Sequence, residues 1–297
     1  MLLALTSREF IMDWKEYEEE IHQIFQSQYP NCNILYDVER KGVYSKVNRQ
    51  IDILIEEYVA GNRFSIAIDC KYFNKRVDVK GVEAFIGMLE DFGANKGLLI
   101  TKDGFSEAAL NRAHFGPSEI ELDIFNFKDL YKFQGYGGIP YRRGNGVLVP
   151  APFGWVIDSA QNPLGIATFY QRGFTLEEAV KKKEFMYVQI WNKETDNKTL
   201  DDLLKIQDNG LLNTHTKTEI EFIPTIRRND ARVVLRAAKV PSYPTTEYTG
   251  LIEFDKFIFF CVLFTPENRS RQNIKKLENI LERALPLNVQ QEANNSS

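Results

Sequence analysis

The stretch RQIDILIEEYVAGNRFSIAIDCKYF, residues 49–73, contains two β-patterned runs joined by a Gly-Asn turn signal. Side chains two residues apart on a strand point to the same face. Asp69 and Lys71 therefore share one face, and Cys70 points to the other. A hairpin through the turn would bring Asp52 beside Asp69. The stretch predicts two carboxylates and an ammonium group on one face of a sheet.

These residue types suit the metal-assisted hydrolysis of a phosphodiester. Mg²⁺ prefers carboxylate oxygens, which Asp52 and Asp69 would supply. The metal would lower the pKa of a bound water and polarise the phosphate. Lys71 would orient or deprotonate that water, or neutralise charge that develops on the phosphate. An Asp-x-Lys pair on an exposed strand is usually solvated charge, but here apolar residues flank it, and charges in such surroundings need partners.

From Trp14 to Phe133 the motifs, taken in order, resemble the Mrr-like restriction endonuclease branch of the PD-(D/E)xK nuclease superfamily. WKEYEEEIHQIF is similar to the opening helix of that family, and RQID to the strand that carries its first metal-binding Asp. IDCKYF resembles the strand with the acidic residue and the lysine. VKGVEAFIGMLEDF and IELDIFNFKDL resemble later elements. The resemblance implies a nuclease that acts on DNA with Mg²⁺, or with Mn²⁺ as a substitute, often in defence against foreign DNA.

The resemblance also implies roles for individual residues. Asp52 and Asp69 match the metal ligands, and Lys71 matches the catalytic lysine. Glu18 matches an acidic residue of the first helix that helps to complete the metal site. Glu83 falls where many members carry Gln on the next helix, so a supporting role behind the metal ligands is left open.

Basic residues provide candidate contacts to nucleic acid. Lys75, Arg76 and Lys80 come shortly after Lys71, so they are the predicted phosphate contacts of the first half. In the second half, the pairs at 142–143 and 227–228 are interpreted as solvated loop charge, because most surface arginines are solvated.

The order of elements predicts an α/β fold. Residues 1–134 are predicted to form an Mrr-like nuclease domain, a restriction-endonuclease-like mixed-sheet core in the order αβββαβ. The glycine- and proline-rich GYGGIP is the predicted boundary. Residues 135–286 are predicted to form an α+β domain for target recognition or partner binding, and 287–297 a disordered tail. FKDLYKF is predicted to be a helix at the end of the first domain.

Composition narrows the class of protein. A chain of 297 residues is long enough for two domains. A net charge of −4 argues against a strongly basic protein that coats nucleic acid through charge alone. Three scattered cysteines form no metal-binding spacing and predict a reduced, cytoplasmic protein. The apolar run FIFFCVLF is too short to span a bilayer, so no membrane association is expected.

Three functions are open at this point. The first is a Mg²⁺-dependent DNA endonuclease in restriction or anti-phage defence. The second is the same core cutting RNA, or acting as an effector that a partner switches on, since DNA and RNA offer the same phosphodiester. The third is an inactive nuclease fold that only binds nucleic acid or a protein. A homodimer and a defence-system partner are both possible assemblies.

Overall fold

The chain folds into two compact units, residues 1–131 and 132–297. The structure is a computed structural model. It describes the following residues: 12–59, 61–116, 120–132, 135–141, 145–160, 164–196, 198–215 and 217–288. The division between the units lies near the predicted domain boundary at residue 134.

The first unit is a mixed sheet with helices packed against it. Its elements are α1 (Trp14–Gln28), β1 (Ile34–Lys41), β2 (Asn48–Val59), β3 (Asn62–Lys71), α2 (Val79–Phe92), β4 (Lys96–Thr101), α3 (Glu107–Phe115) and β5 (Glu121–Asn126). The strands lie in the order β1-β2-β3-β4-β5. Strand β2 is antiparallel to both β1 and β3, whereas β3, β4 and β5 are parallel to one another. The predicted αβββαβ mixed-sheet core is confirmed.

Helix α1 begins where its sequence can satisfy the free backbone N–H groups. The side chain of Asp13 accepts hydrogen bonds from the backbone N–H groups of Lys15 and Glu16, and Glu16 reciprocates as a capping box. The buried residues Tyr17, Ile21 and Phe25 recur at helical spacing. The helix therefore fixes which of its acidic residues lie beside the buried face, and Glu18 is one of them.

The hairpin between β2 and β3 has the predicted form. Ile53 lies opposite Ile68, and the pairing continues to Val59 opposite Asn62. Gly61 has a φ of 83°, a left-handed conformation that a tight turn requires and that glycine adopts without strain.

Helix α2 covers the parallel part of the sheet at close range. Its side chains Phe85 and Leu89 are buried and face Gly97 on β4. A methyl group at Gly97 would collide with both side chains. Since β4 is buried along its whole length, the predicted central strand is confirmed.

The β1–β2 ribbon bends sharply beside the predicted site. Arg40 is paired with Arg49, yet its Nη2 lies 3.6 Å from Oε2 of Glu56. A straight strand would separate positions 49 and 56 by about 23 Å, which an arginine side chain cannot span. Asp37 has a φ of 47°, in the left-handed region that aspartate tolerates better than most residues. Asp37 therefore breaks the regular extended backbone of β1.

The tip of the bent ribbon is fastened to the end of α2 by Asp91. The buried carboxylate of Asp91 accepts hydrogen bonds from the N–H groups of Tyr44 and Ser45 and from the Ser45 hydroxyl. Nε of Arg49 lies 2.5 Å from the same carboxylate. These contacts, led by the Ser45 hydroxyl, hold the pKa of Asp91 far below its usual range.

Asp91→Asn is expected to lower the urea midpoint of unfolding clearly, because an amide cannot accept all of these hydrogen bonds and leaves Arg49 without its counter-charge. The measurement is equilibrium urea unfolding at pH 7. Asp78→Asn is the matched control, since Asp78 caps α2 and Asn is an equally good N-cap. Equal midpoints for both variants would contradict a fastening role for Asp91.

The second unit contains a seven-stranded sheet and a three-stranded sheet. Its elements are β6 (Tyr136–Pro140), β7 (Asn145–Pro150), β8 (Trp155–Asp158), β9 (Ala167–Gln171), α4 (Leu176–Lys182), β10 (Phe185–Asn192), α5 (Lys193–Asp196), α6 (Leu200–Thr214), β11 (Glu219–Ile223), β12 (Arg232–Lys239), β13 (Glu247–Glu253), β14 (Phe257–Phe264), α7 (Ser270–Arg283) and β15 (Leu285–Asn288). The large sheet has the order β11-β12-β13-β14-β10-β9-β8, with antiparallel neighbours throughout. The small sheet has the order β15-β7-β6.

Two local predictions differ from the structure. The helix predicted in FKDLYKF is a 3₁₀ helix over Phe127–Lys132, a type that is frequent in short connecting segments. Most of the predicted boundary GYGGIP is β6, an edge strand that tolerates its terminal Pro140. The first two residues of the predicted tail, 287 and 288, belong to β15, which pairs with β7. Residues 289–297 lie outside the described residues.

A buried polar cluster holds α7 in the second unit. Glu184 lies 2.9 Å from Nε of Arg269 and accepts a 2.7 Å hydrogen bond from Asn273. Such groups need partners when they are removed from water. Among the residues that the structure describes, no helix combines the length and apolar composition needed to cross a membrane.

Candidate active site

The predicted catalytic residues lie together in the first unit. A cleft of about 700 Å³ is lined by Glu18 from α1, Asp52 from β2, and Asp69 and Lys71 from β3. The three residues of the hairpin and the helix residue therefore reach one space, as the sequence predicts.

The strand register brings the two aspartates face to face. Ile53 and Ile68 are paired, so Asp52 and Asp69 occupy the next opposite positions. The backbone N–H of Cys70 donates a 2.7 Å hydrogen bond to Oδ2 of Asp52. This bond turns the Asp52 carboxylate toward β3 and fixes it beside Asp69.

The surroundings of Asp52 oppose the ionisation of its carboxyl group. Burial raises the pKa of Asp52, and the negative charge of Asp69 raises it further, to about 7. The hydrogen bond from Cys70 acts in the opposite direction but is outweighed. The ionised pair is therefore costly without a cation between or beside the two carboxylates.

Lys71 supplies part of the missing positive charge. Its Nζ lies 2.8 Å from Oδ2 of Asp69, and its side chain is 30% exposed. The ammonium group thus reaches the cleft while it stays paired with a carboxylate. This is the arrangement that the alternation of β3 predicts.

The charges of the hairpin residues act on the carboxyl group of Glu18. Burial raises the pKa of Glu18, and the charges of Asp37 and Asp69 add to the effect. Lys71 and a hydrogen bond from Tyr36 oppose it. Because a carboxylate on α1 senses charges on β1 and β3, the helix and the hairpin form one electrostatic cluster.

The donor set fits a hard divalent cation that keeps much of its hydration. Within the described ranges, no group of three or more His, Cys, Asp or Glu side chains is arranged to hold a metal ion by itself. Mg²⁺ is usually held by one or two carboxylates, with water and substrate phosphate completing its shell. Asp52 and Asp69 meet that need, and the raised pKa of Asp52 marks the charge that a cation would offset.

Other predicted residues lie apart from this cluster. Glu83 does not line the cleft: it is exposed and forms an ion pair with Arg112 of α3, which lowers the pKa of Glu83. Its predicted role behind the metal ligands is therefore not what this structure shows. Lys75, Arg76 and Lys80 are exposed after β3, outside the residues that line the cleft.

The basic pairs of the second unit divide into two cases. Residues 142–143 lie outside the described residues. Arg228 is not a solvated loop charge: its Nη1 donates hydrogen bonds to the carbonyl groups of Leu281 and Ala284, at 2.9 and 2.7 Å. Its side chain is buried because it satisfies the carbonyl groups at the end of α7.

Sequence reasoning missed Asp37. The flanking pairs Tyr36–Ile53 and Val38–Ile51 place it opposite Asp52, in the row that continues to Asp69. Asp37 also accepts a 2.9 Å hydrogen bond from Gln50. The strand pattern of residues 34–41 could have located it only if the register with β2 had been known.

A family model matches the part of the chain that carries this cleft. Residues 11–133, less than half of the chain, match the family model Mrr_cat, described as a restriction endonuclease. No curated protein matches the chain significantly.

Solved structures give weaker likenesses. A protein of unknown function, AF1548, is 17% identical, with 44% of this chain and 72% of that chain covered and a TM-score of 0.33. CyanoP from Synechocystis sp. PCC 6803 is 15% identical, covering 52% and 93%, with a TM-score of 0.34. The MspJI restriction endonuclease, solved with a 27-mer oligonucleotide, is 13% identical, covering 38% and 26%, with a TM-score of 0.28. The family model is the match that bears on the first unit: residues 11–133 are similar to the restriction endonuclease family Mrr_cat.

Proposed function

We propose that this protein is a Mg²⁺-dependent endonuclease that hydrolyses phosphodiester bonds of DNA, in restriction or anti-phage defence. One observation carries the proposal: Asp52 and Asp69 face each other across the β2–β3 hairpin, with Nζ of Lys71 2.8 Å from Asp69. Two carboxylates and one ammonium group in a single cleft provide both metal oxygens and phosphate charge compensation.

Each residue of the cluster has a distinct role in this proposal. Asp52 and Asp69 would hold the cation, and Glu18 would reach it from α1. Bound Mg²⁺, for which Mn²⁺ would substitute, supplies polarisation of the phosphate and a water of lowered pKa. Lys71 compensates charge on the phosphate oxygens or, when neutral, accepts a proton from the attacking water. The hydrogen bond from Cys70 keeps Asp52 oriented.

The remaining roles follow from position. Lys75, Arg76 and Lys80 are exposed after the strand that carries Lys71, where they would contact the phosphate backbone on either side of the cut. The second unit is proposed to select the target or to bind a homodimeric or defence-system partner. The three free cysteines support a cytoplasmic setting.

Covalently closed circular DNA, linear DNA and RNA should be compared as substrates of the full-length protein. We expect circular DNA to be nicked or linearised with Mg²⁺ and left intact with EDTA, because the carboxylates need a cation to work on a phosphate. Gel electrophoresis of all three polymers under matched conditions is the measurement. Cleavage of RNA with DNA left intact would instead support the RNA-cleaving alternative. Absence of both cleavage and Mg²⁺ binding by calorimetry would support a binding protein.

A further inference from the structure

The lining of the cleft combines charged and apolar side chains. Its charged residues include the carboxylates and Lys71. Two of its aromatic residues are open to solvent: Trp14 is 59% exposed and Phe73 is 46% exposed. Phe85, which lines the same cleft, is only 3% exposed. Among the described residues of the first unit, these two aromatic side chains of the cleft keep about half of their surface accessible.

Chain connectivity ties both rings to the cluster. Trp14 begins the helix that carries Glu18 one turn later, so the two share a helix face. Phe73 lies two residues beyond Lys71, the last residue of β3. Neither ring can be far from the place where the phosphate would be held.

Contacts of Tyr72 hold together the two segments that carry Trp14 and Phe73. The Tyr72 hydroxyl donates to the backbone carbonyl of Met12, directly ahead of α1. The Tyr72 ring also packs on Tyr17, with centroids 5.3 Å apart, and Nζ of Lys102 lies 4.3 Å from its centroid. These contacts join the start of α1 to the end of β3, so the segments that carry the two exposed rings are fixed to each other.

The size and chemistry of the cleft exceed what a phosphate needs. A volume of about 700 Å³ lies within the range of small-molecule sites, and a mixed polar and apolar lining matches a whole nucleotide. A paired base inside a duplex has both faces covered by its neighbours. Only a nucleotide that has left the stack can offer its base to an aromatic ring.

We propose that the cleft receives an unstacked nucleotide, whose base stacks on Trp14 and Phe73 while its phosphate lies at Asp52, Asp69 and Lys71. This inference rests on the proposed nuclease function and narrows its substrate class to nucleic acid that is single-stranded or locally opened at the cleavage position. The two rings position the substrate and take no part in the chemical step.

Binding can be measured apart from cleavage in the full-length Lys71→Ala variant with Mg²⁺. The affinity is read from the fluorescence anisotropy of a dye-labelled oligodeoxynucleotide, because this signal does not depend on Trp14 and can be recorded for every variant. We expect a labelled single strand to bind with a rise in anisotropy. Adding Trp14→Ala or Phe73→Ala should weaken the affinity for the single strand about tenfold, and should change the affinity for a fully paired duplex much less.

Tyr58→Ala is the matched control, since Tyr58 is a 68% exposed aromatic residue on β2 that does not line the cleft. It should leave both affinities unchanged. If Trp14→Ala and Phe73→Ala bind single strands as tightly as the Tyr58→Ala control, the stacking proposal is overturned. Equal losses on single-stranded and fully paired DNA would overturn it as well.

Cleavage by proteins with Lys71 intact separates this proposal from the proposed function. The substrates are a single strand, a paired duplex and a duplex with a central mismatch. Rates for Trp14→Ala that equal the wild-type rates on all three would refute stacking and leave the nuclease function standing. Binding of the labelled single strand that Trp14→Ala and Phe73→Ala weaken, without any cleavage by the wild-type protein, would support stacking and refute the nuclease function.

Discussion

Lys71→Ala is expected to reduce the rate of DNA cleavage by about 10³-fold or more, the scale of a lost preorganised charge at the reacting phosphate. The Lys71 ammonium group is the positive charge paired with Asp69 in the cleft, and methyl replacement removes it without filling or opening the apolar core. The measurement is the single-turnover rate on circular DNA with saturating Mg²⁺.

Two comparisons make that result specific. Lys41→Ala removes an exposed lysine at the end of β1, outside the residues that line the cleft, and should cleave at the wild-type rate. The far-ultraviolet circular dichroism of both variants should match that of the wild type. Substantial cleavage by a folded Lys71→Ala protein would show that Lys71 is not needed for the reaction, and would leave Lys75 or Lys80 as the candidate for the catalytic lysine.

Asp52→Asn is expected to abolish cleavage and yet to stabilise the metal-free protein. The amide keeps an oxygen that can accept the Cys70 hydrogen bond, but it carries no charge to repel Asp69. At pH 8 we expect the free energy of unfolding in EDTA to rise by roughly 2 kcal/mol. Calorimetry should show Mg²⁺ affinity lost, and urea unfolding should show the gain.

The gain in stability from Asp52→Asn is expected to depend on pH. Asp52 has a raised pKa in the folded state, from 3.8 to about 7, so the folded protein binds the proton more tightly than the unfolded chain. This stabilising contribution is complete below pH 3.8 and is lost as the pH rises to about 7. The advantage of Asp52→Asn should therefore be absent near pH 4, grow up to pH 7 and then stay constant. A gain that is independent of pH would contradict this origin.

The sequence predicted the core well where local patterns decide the structure. Alternation in 49–73 predicted the hairpin and the common face of Asp69 and Lys71, since strand geometry leaves no other choice. The helical spacing of the buried residues of α1 predicted that Glu18 would be the acidic residue to reach the site.

What the sequence did not predict depends on contacts between distant segments. The place of Asp37 opposite Asp52 needs the register of β1, and its left-handed backbone needs the fold of the whole ribbon. The ion pair between Glu83 and Arg112 depends on the packing of α2 beside α3. The glycines of GYGGIP gave no sign of a strand because glycine is a poor strand former, yet pairing with β7 outweighs that local preference.

Every side chain that lines the catalytic cleft comes from the first unit. The surroundings that set the pKa of Asp52 and pair Lys71 with Asp69 are therefore inherited as one block of sequence. The residues that line the cleft are thus encoded apart from those of the second unit. Sequence changes between residues 132 and 288 would leave the composition of the cleft lining intact, so the two units can diverge at different rates.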